Sequence, residues 1–388
     1  MSKFACEPCG WPAFRTFLPF DLDTLATDTG ALERRRGVCG GESLLRALLL
    51  YGLPKSTLER AARTAREANI ANWSSVALFK RLVKAEGMLR SVFEHLLSHA
   101  IVPELRFGNY RLLSVDATCL CGPGATQTDQ VLHVVYDLGK GLPASVDLTT
   151  NKGGETFGRH FGFGAGDLLL GDRGYGWEKS IVAALRSKAR VLVRFEFDSI
   201  RLITDEGEKI WREQAEGCVP ETGPVDFCVY LETWPGPLRA IGERNPKGQV
   251  VWYLTDLGHD ELPLHEARKL YARRWQVELF FKRLKTILDL DELPSRDGPV
   301  ARPWIWTKLI LASLAVLVSH ERFSPWTDTS EGDETEPLET VRIRLDGLNG
   351  SVAQHQTRSA KAWPTTRETT KEKSAQTRLP LETVGCLS

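Results

Sequence analysis

The run DLLLGDRGYGWEKSIVAALRSKARVLVRF, residues 167–195, decides the fold. It opens and closes on short apolar runs of strand length. Between them, EKSIVAALRSKA spaces its apolar residues three and four apart, as a helix does. Strand, helix, strand within about 30 residues is the repeating unit of an α/β layout. An acid, Asp172, follows the first of these strands, in a turn punctuated by Gly171 and Gly174.

Upstream, RLLSVDATCL (111–120), QVLHVVYDLG (130–139) and LPASVDLTT (142–150) read as three strands joined by short connections. Downstream, SIRLITDEG, VDFCVYLETW, LRAIGER and QVVWYLTDL alternate like antiparallel strands. Turn residues such as EGEK, PETGP and RNPKG separate them. Residues 196–257 are therefore expected to form a β-rich insertion. A long helical stretch should follow, with Pro263 in its first turn and HEARKLYARRWQVELFFKRLKTIL as its body. One more apolar helix is expected over about 304–320.

The chain before the strands has a different texture. ESLLRALLLYG, LPKSTLERAARTAREANI and SSVALFKRLVKAEGMLRSVFEHLLSH carry the helical period, with Ser56 or Thr57 and Ser74 or Ser75 as N-cap candidates. Between Arg34 and Arg90 there are 12 basic residues against four acidic ones, giving +8. A second basic stretch, Arg268–Lys285, holds seven basic residues and one acid, Glu278. The whole chain of 388 residues is nonetheless neutral, with 50 basic and 50 acidic residues. Six carboxylates between Asp328 and Glu339 do much of the cancelling, so the positive regions can still bind an anionic surface.

These textures divide the chain into a basic helical domain over 1–105, possible as a helix-turn-helix, an α/β domain over 106–323, and a tail over 324–388. The tail holds 11 Thr residues and the acidic run, shows no sustained period, and is expected to be disordered. The start of the chain does not read as a signal peptide. The longest largely apolar run, Leu309–Val318, has 10 residues against the roughly 20 that a bilayer needs, so no membrane role is expected. Eight scattered cysteines suit a reducing compartment. Cys6 and Cys9 have ligand spacing but no second pair. Cys119 and Cys121 are expected to pack, and His133 and His160 to be polar core or surface residues. GRHFGFGAG (158–166) lacks the Lys-Ser/Thr ending of a phosphate-binding loop.

Three acids stand out as candidates for chemistry. Asp116 and Asp172 each follow an apolar strand, and Glu278 lies in the basic helix. Strand-end carboxylates brought side by side make an oxygen-rich site for hard cations such as Mg²⁺. With a third acid, two ions about 4 Å apart could be held, the arrangement that serves phosphoryl transfer. On one continuous helix, Tyr271, Arg274, Glu278 and Lys285 would fall within an arc of about 60°. Glu278 would then face a metal while Arg274 and Lys285 face phosphates.

With these residues the sequence resembles the DDE transposases of the insertion-sequence-4 type. Their signature Tyr-(2)-Arg-(3)-Glu-(6)-Lys is met by Tyr271, Arg274, Glu278 and Lys285, inside the similar string RWQVELFFKRLK. SVDAT around Asp116 and GDRGYG around Asp172 resemble the first and second acidic motifs. The likeness runs from about residue 42 to about residue 318. It implies an RNase H-like catalytic core interrupted by a β-rich insertion, with Asp116, Asp172 and Glu278 holding two Mg²⁺ or Mn²⁺ ions. It implies cut-and-paste DNA transposition: strand cleavage at the transposon ends, a hairpin, then attack of the 3′-OH on target DNA.

The resemblance also implies that Tyr271, Arg274 and Lys285 grip phosphates, that Arg173 is a further phosphate contact, and that a base flips onto a tryptophan, for which Trp252 is the candidate. The implied partners are terminal inverted repeats, target DNA and a second copy of the chain, in a cytoplasmic, nucleoid-associated setting. Two other readings stand beside it. The Thr-rich continuation after about Phe323, where relatives carry further helices, fits a catalytically impaired remnant or a regulator that binds ends without completing transposition. A two-metal nuclease acting on other nucleic acids is the third.

Overall fold

The structure is a computed structural model, and it describes residues 11–18, 21–33, 40–100, 106–150, 154–160 and 162–319. Cys6 and Cys9, Arg34–Arg36 and the tail with its acidic run lie outside these residues.

Among the described residues six helices come first: α1 (Trp11–Arg15), α2 (Leu22–Asp28), α3 (Gly41–Gly52), α4 (Leu58–Glu67), α5 (Ser75–Leu82) and α6 (Glu86–Ser98). Of the paired cap candidates, Thr57 and Ser74 serve, their hydroxyls accepting from the amides of Arg60 and Ala77. The strands follow as β1 (Arg106–Phe107), β2 (Tyr110–Leu120), β3 (Gln130–Asp137), β4 (Leu142–Thr149) and β5 (Asp167–Gly171). Next come α7 (Glu178–Arg186), β6 (Arg190–Phe195), β7 (Leu202–Ile203), α8 (Arg212–Gly217), β8 (Val225–Leu231), β9 (Trp234–Arg244) and β10 (Val250–Thr255). The last elements are α9 (Leu264–Ala272), α10 (Trp275–Leu288) and α11 (Gly298–Ser319).

The ten strands among the described residues join one sheet in the order β4-β3-β2-β5-β6-β10-β9-β8-β7, with β1 on β2. β2, β3 and β4 pair antiparallel, whereas β2, β5 and β6 are mutually parallel neighbours. The β5–α7–β6 crossover is thus the unit that residues 167–195 predict. The β-rich segment at 196–257 extends this same sheet, since β10 pairs antiparallel with β6 through Trp252 and Phe195.

The middle positions of strands β5 and β6, Leu168–Leu170 and Val191–Val193, are apolar because both faces of the sheet are covered. Leu168, Leu170 and Leu192 join one apolar cluster, while Leu169, Val191 and Val193 join the other. The first cluster also takes in the buried faces of α2–α6, α10 and α11, so the early helices and the sheet share one core. Gly52 lets α3 approach α11, where a Cβ would meet Thr307 Oγ1 at 2.6 Å. By length and composition α11 could cross a membrane, but 83% of its apolar window is buried among these elements.

Two expectations change. The helix through Tyr271 and Lys285 is broken: Arg273 and Arg274 separate α9 from α10, and the amides of Arg273, Arg274, Gln276 and Val277 each donate three residues back. This tightened turn means that a constant advance of about 100° per residue does not carry across it. Cys119 and Cys121 are exposed free thiols rather than packing residues: they alternate with the buried Leu120, and Cys119 borders an open groove on the other face of β2.

Candidate active site

The parallel ladder between β2 and β5 ends at the pair Val115 and Gly171. The next residue on each chain is an acid, so Asp116 and Asp172 stand abreast where the two strands part. Sites form at such places because parallel strands diverge at their carboxyl ends. Asp116 is not a strand end, however, since β2 runs on along β3 to Leu120. Asp116 Oδ1 accepts from the Ala117 amide at 2.8 Å. Asp172 Oδ1 accepts from the Gly174 amide at 2.9 Å, which fixes the turn after β5.

Helix α10 packs along β2 and contributes the third acid. Glu278 lies in its first turn, where the helix dipole favours a carboxylate. Arg274, at the N-terminus of the same helix, joins the two acids. Its Nη1 donates to Asp116 Oδ2 at 3.4 Å, and its Nη2 donates to Glu278 Oε1. Tyr271, across the turn on α9, places its ring 5.7 Å from the Arg274 guanidinium carbon and 4.8 Å from the ring of Tyr253.

One guanidinium does not neutralise this pocket. Burial, with the negative charges of Asp172 and Glu278, pushes the Asp116 carboxyl up to about 6 against the pull of the Ala117 amide and Arg274. A fourth carboxylate, Glu155, lies beside the pair and is pushed up to about 7 by burial and by Asp172 and Asp116. Sequence spacing gave no reason to select Glu155, which precedes a short turn at Phe157–Arg159 outside every strand.

An all-carboxylate donor set under mutual repulsion suits a hard divalent cation, which would supply the missing positive charge. Among the described residues, no three His, Cys, Asp or Glu side chains converge closely enough to hold an ion in this arrangement. The Arg274 guanidinium takes the place of a cation between Asp116 and Glu278.

The other expected contacts scatter. Arg173 projects from the turn beside Asp172 and pairs with Glu196 at 2.7 Å. Lys285 is half-buried on α10, about 10 Å along the helix axis from Glu278. Trp252 requires a correction: it is 3% exposed, its indole enclosed by Phe195, Phe197 and Phe227, and it offers no face to a base. Two tryptophans that the sequence reading did not select are exposed instead, Trp275 (56%) beside Arg274 and Trp211 (53%) before α8. His133 and His160 are buried, with rings 6.2 Å apart.

Basic surface lies on the early helices. Arg60, Arg63 and Arg66 are exposed along α4, and Val76, Phe79 and Lys80 along α5, which residues 68–74 connect to it.

The chain is similar to known transposases. The transposase for insertion sequence element IS421 of Escherichia coli is 30% identical over 336 residues, covering 76% of this chain and 90% of its own length. The InsL transposase of element IS186A from Escherichia coli (strain K12) is 30% identical over 335 residues with the same coverage. Among solved structures, a piggyBac transposase synaptic complex with hairpin DNA superposes with a TM-score of 0.49 at 12% identity, covering 86% of this chain and 78% of that one. Residues 108–314, which span β2 to the body of α11 and so contain all three acids, match the transposase DDE domain, and the chain belongs to that family.

Proposed function

We propose that this protein is the transposase of an insertion sequence of the insertion-sequence-4 type, moving its element by cutting DNA at the terminal inverted repeats and joining the freed 3′-OH to target DNA. The observation that carries this reading is that Asp116 and Asp172 stand abreast at the end of the β2–β5 ladder, with Glu278, more than 100 positions away from either in sequence, tied to Asp116 through Arg274. The antiparallel trio β4-β3-β2 followed by the parallel β5 and β6 supports an RNase H-like core.

In this reading Asp116, Asp172 and Glu278 hold two Mg²⁺ or Mn²⁺ ions. When bound, the ions supply activation of the attacking oxygen and stabilisation of the leaving one. The chain's own groups position the substrate. Tyr271, Lys285 and Arg173 bind phosphates flanking the cut, and Arg274 releases its carboxylates as it turns to the DNA backbone. Trp275, exposed beside Arg274, gives an unstacked base a face to lie on, the role once expected of Trp252. The basic helices of residues 1–105 bind the repeats, residues 196–257 form the insertion that contacts DNA, and two copies act on paired ends.

The test is cleavage of the element's own inverted repeats with Mg²⁺. Asp116→Asn, Asp172→Asn and Glu278→Gln should abolish cutting and retain DNA binding. Undiminished cutting by these variants would refute the metal assignment. Joining of labelled ends to a target plasmid separates a transposase from a nuclease, and binding without cleavage by the native chain would favour a regulator or remnant.

A further inference from the structure

We propose that Glu155 is a fourth carboxylate ligand of the metal centre, sharing a cation with Asp172 across the space left open by Gly174. The proposal rests on the metal-dependent reading above and adds a residue that lies outside the three acidic motifs.

The geometry starts at Gly174. A Cβ on this residue would collide with Glu155 Oε2 and would meet Asp172 Oδ1 at 3.2 Å. The two carboxylates therefore border one atom-sized space that only the absence of a side chain keeps open. Gly174 has no positive φ, so its backbone conformation does not require glycine. What requires it is the approach of Glu155.

Glu155 is held there by anchors on both sides. Its backbone carbonyl accepts from Trp177 Nε1 at 3.1 Å, and two residues on the Phe157 amide donates to Ser180 Oγ at 3.0 Å. Both partners sit at the start of α7, so the loop before Phe157 is tied to the same rigid unit that carries Asp172. Like-charged carboxylates would be expected to separate if the loop were free.

A second observation points to a missing guest. Tyr175 is fully buried, at 0% exposure, and its hydroxyl has no hydrogen-bond partner among the described residues. Its amide donates to the Asp172 carbonyl at 3.1 Å and its ring centre lies 5.1 Å from that of Phe157, two residues after Glu155, so the phenol sits between the segments that carry the two carboxylates. A buried phenol without an acceptor is unfavourable, and an ion bound nearby with its waters would supply one. Glu155 and Gly174 also line an open groove of about 490 Å³ with Ala117, Thr128 and Trp177, which gives an ion and its waters a way in.

The experiment is Mn²⁺ binding to the full chain by titration calorimetry, with melting in EDTA beside it. Glu155→Gln should weaken Mn²⁺ binding by at least about tenfold. It should melt no lower than the native chain in EDTA, because it removes one of several repelling charges. Gly174→Ala should weaken binding similarly by pushing the flexible Glu155 carboxylate aside, and combining the two should add nothing further. Binding that is lost in Asp172→Asn but unchanged in Glu155→Gln would overturn the role of Glu155 while leaving the metal centre intact. A double variant much weaker than Glu155→Gln would overturn the Gly174 argument by showing that the Ala acts through Asp172. Absence of Mn²⁺ binding to the native chain would instead overturn the metal-dependent reading itself.

Discussion

Arg274 Nη1 lies 3.4 Å from Asp116 Oδ2, a contact between residues 158 positions apart in sequence. Through its other nitrogen the same guanidinium holds Glu278, so one positive charge organises two of the three acids. Its side chain is largely buried, and removing it leaves those carboxylates facing each other without compensation. Arg274→Ala should lower the stability of the metal-free protein by about 3–5 kcal/mol, the range for breaking a buried ion pair. Arg274→Lys should recover only part of this, because an ammonium cannot reach both acids with a planar fork. Added Mg²⁺ should raise the melting temperature of Arg274→Ala by more than that of the native chain. Equal stability of the two proteins in EDTA would disprove the organising role.

The two tryptophans separate core from surface. Trp252 packs against three phenylalanines on β6, β8 and the segment after β6, so Trp252→Ala should cost about 3–5 kcal/mol in denaturant unfolding. Trp275 is exposed, and Trp275→Ala should change stability by no more than about 0.5 kcal/mol. Cleavage of transposon ends should nevertheless fall in Trp275→Ala. Cleavage at the native rate would show that no base stacks there.

What the sequence could show depended on whether a feature was local. The β5–α7–β6 crossover was legible because its apolar periods change within 29 residues, and Asp116 and Asp172 were legible because each follows a strand run. That they stand abreast depends on the register Val115 to Gly171, a pairing between distant segments that no local pattern encodes. The helix through Tyr271 and Lys285 was misread because Arg273 and Arg274 have ordinary helical propensity. The break consists of three-residue hydrogen bonds rather than a Pro or Gly. Trp252 was misplaced because a strand's alternation does not say which of its faces is covered when both are. Glu155 escaped notice because its partners, Asp172 and Gly174, meet it only in space.

His133 and His160 make the fold acid-labile. Burial and nearby positive charge hold both rings down to about 4, so they stay neutral in the folded state. Between about pH 6.5 and 4 the unfolded chain takes up protons that the folded chain refuses, and stability falls as pH falls. By pH 5 one such histidine accounts for roughly 2 kcal/mol of lost stability. The urea midpoint of the native chain should therefore drop between pH 7 and pH 5 by more than that of His160→Gln. Parallel midpoints across that range would rule out the buried neutral ring.

Lys308 on α11 carries a liability of the same sign at higher pH. It is 1% exposed, its Nζ sits 4.4 Å from the centre of the Trp304 ring, and burial pulls its ammonium down to about 8 despite Asp289 and Asp291. At pH 7 the lysine is charged in both states, and the folded state bears the desolvation. Between about pH 8 and 10.5 the folded chain sheds its proton first, so stability attributable to this group rises with pH. The Trp304 face offsets only a part, since a cation over a ring contributes about 2 kcal/mol when desolvated. Lys308→Met keeps the length of the side chain and removes the charge. It should raise stability at pH 7 by roughly 1–3 kcal/mol, within the range for exchanging buried charge for apolar volume. It should also flatten the rise between pH 7 and pH 9.5 relative to the native chain. Lower stability of Lys308→Met at pH 7 would mean that Trp304, Asp289 and Asp291 together more than offset the burial of the charge.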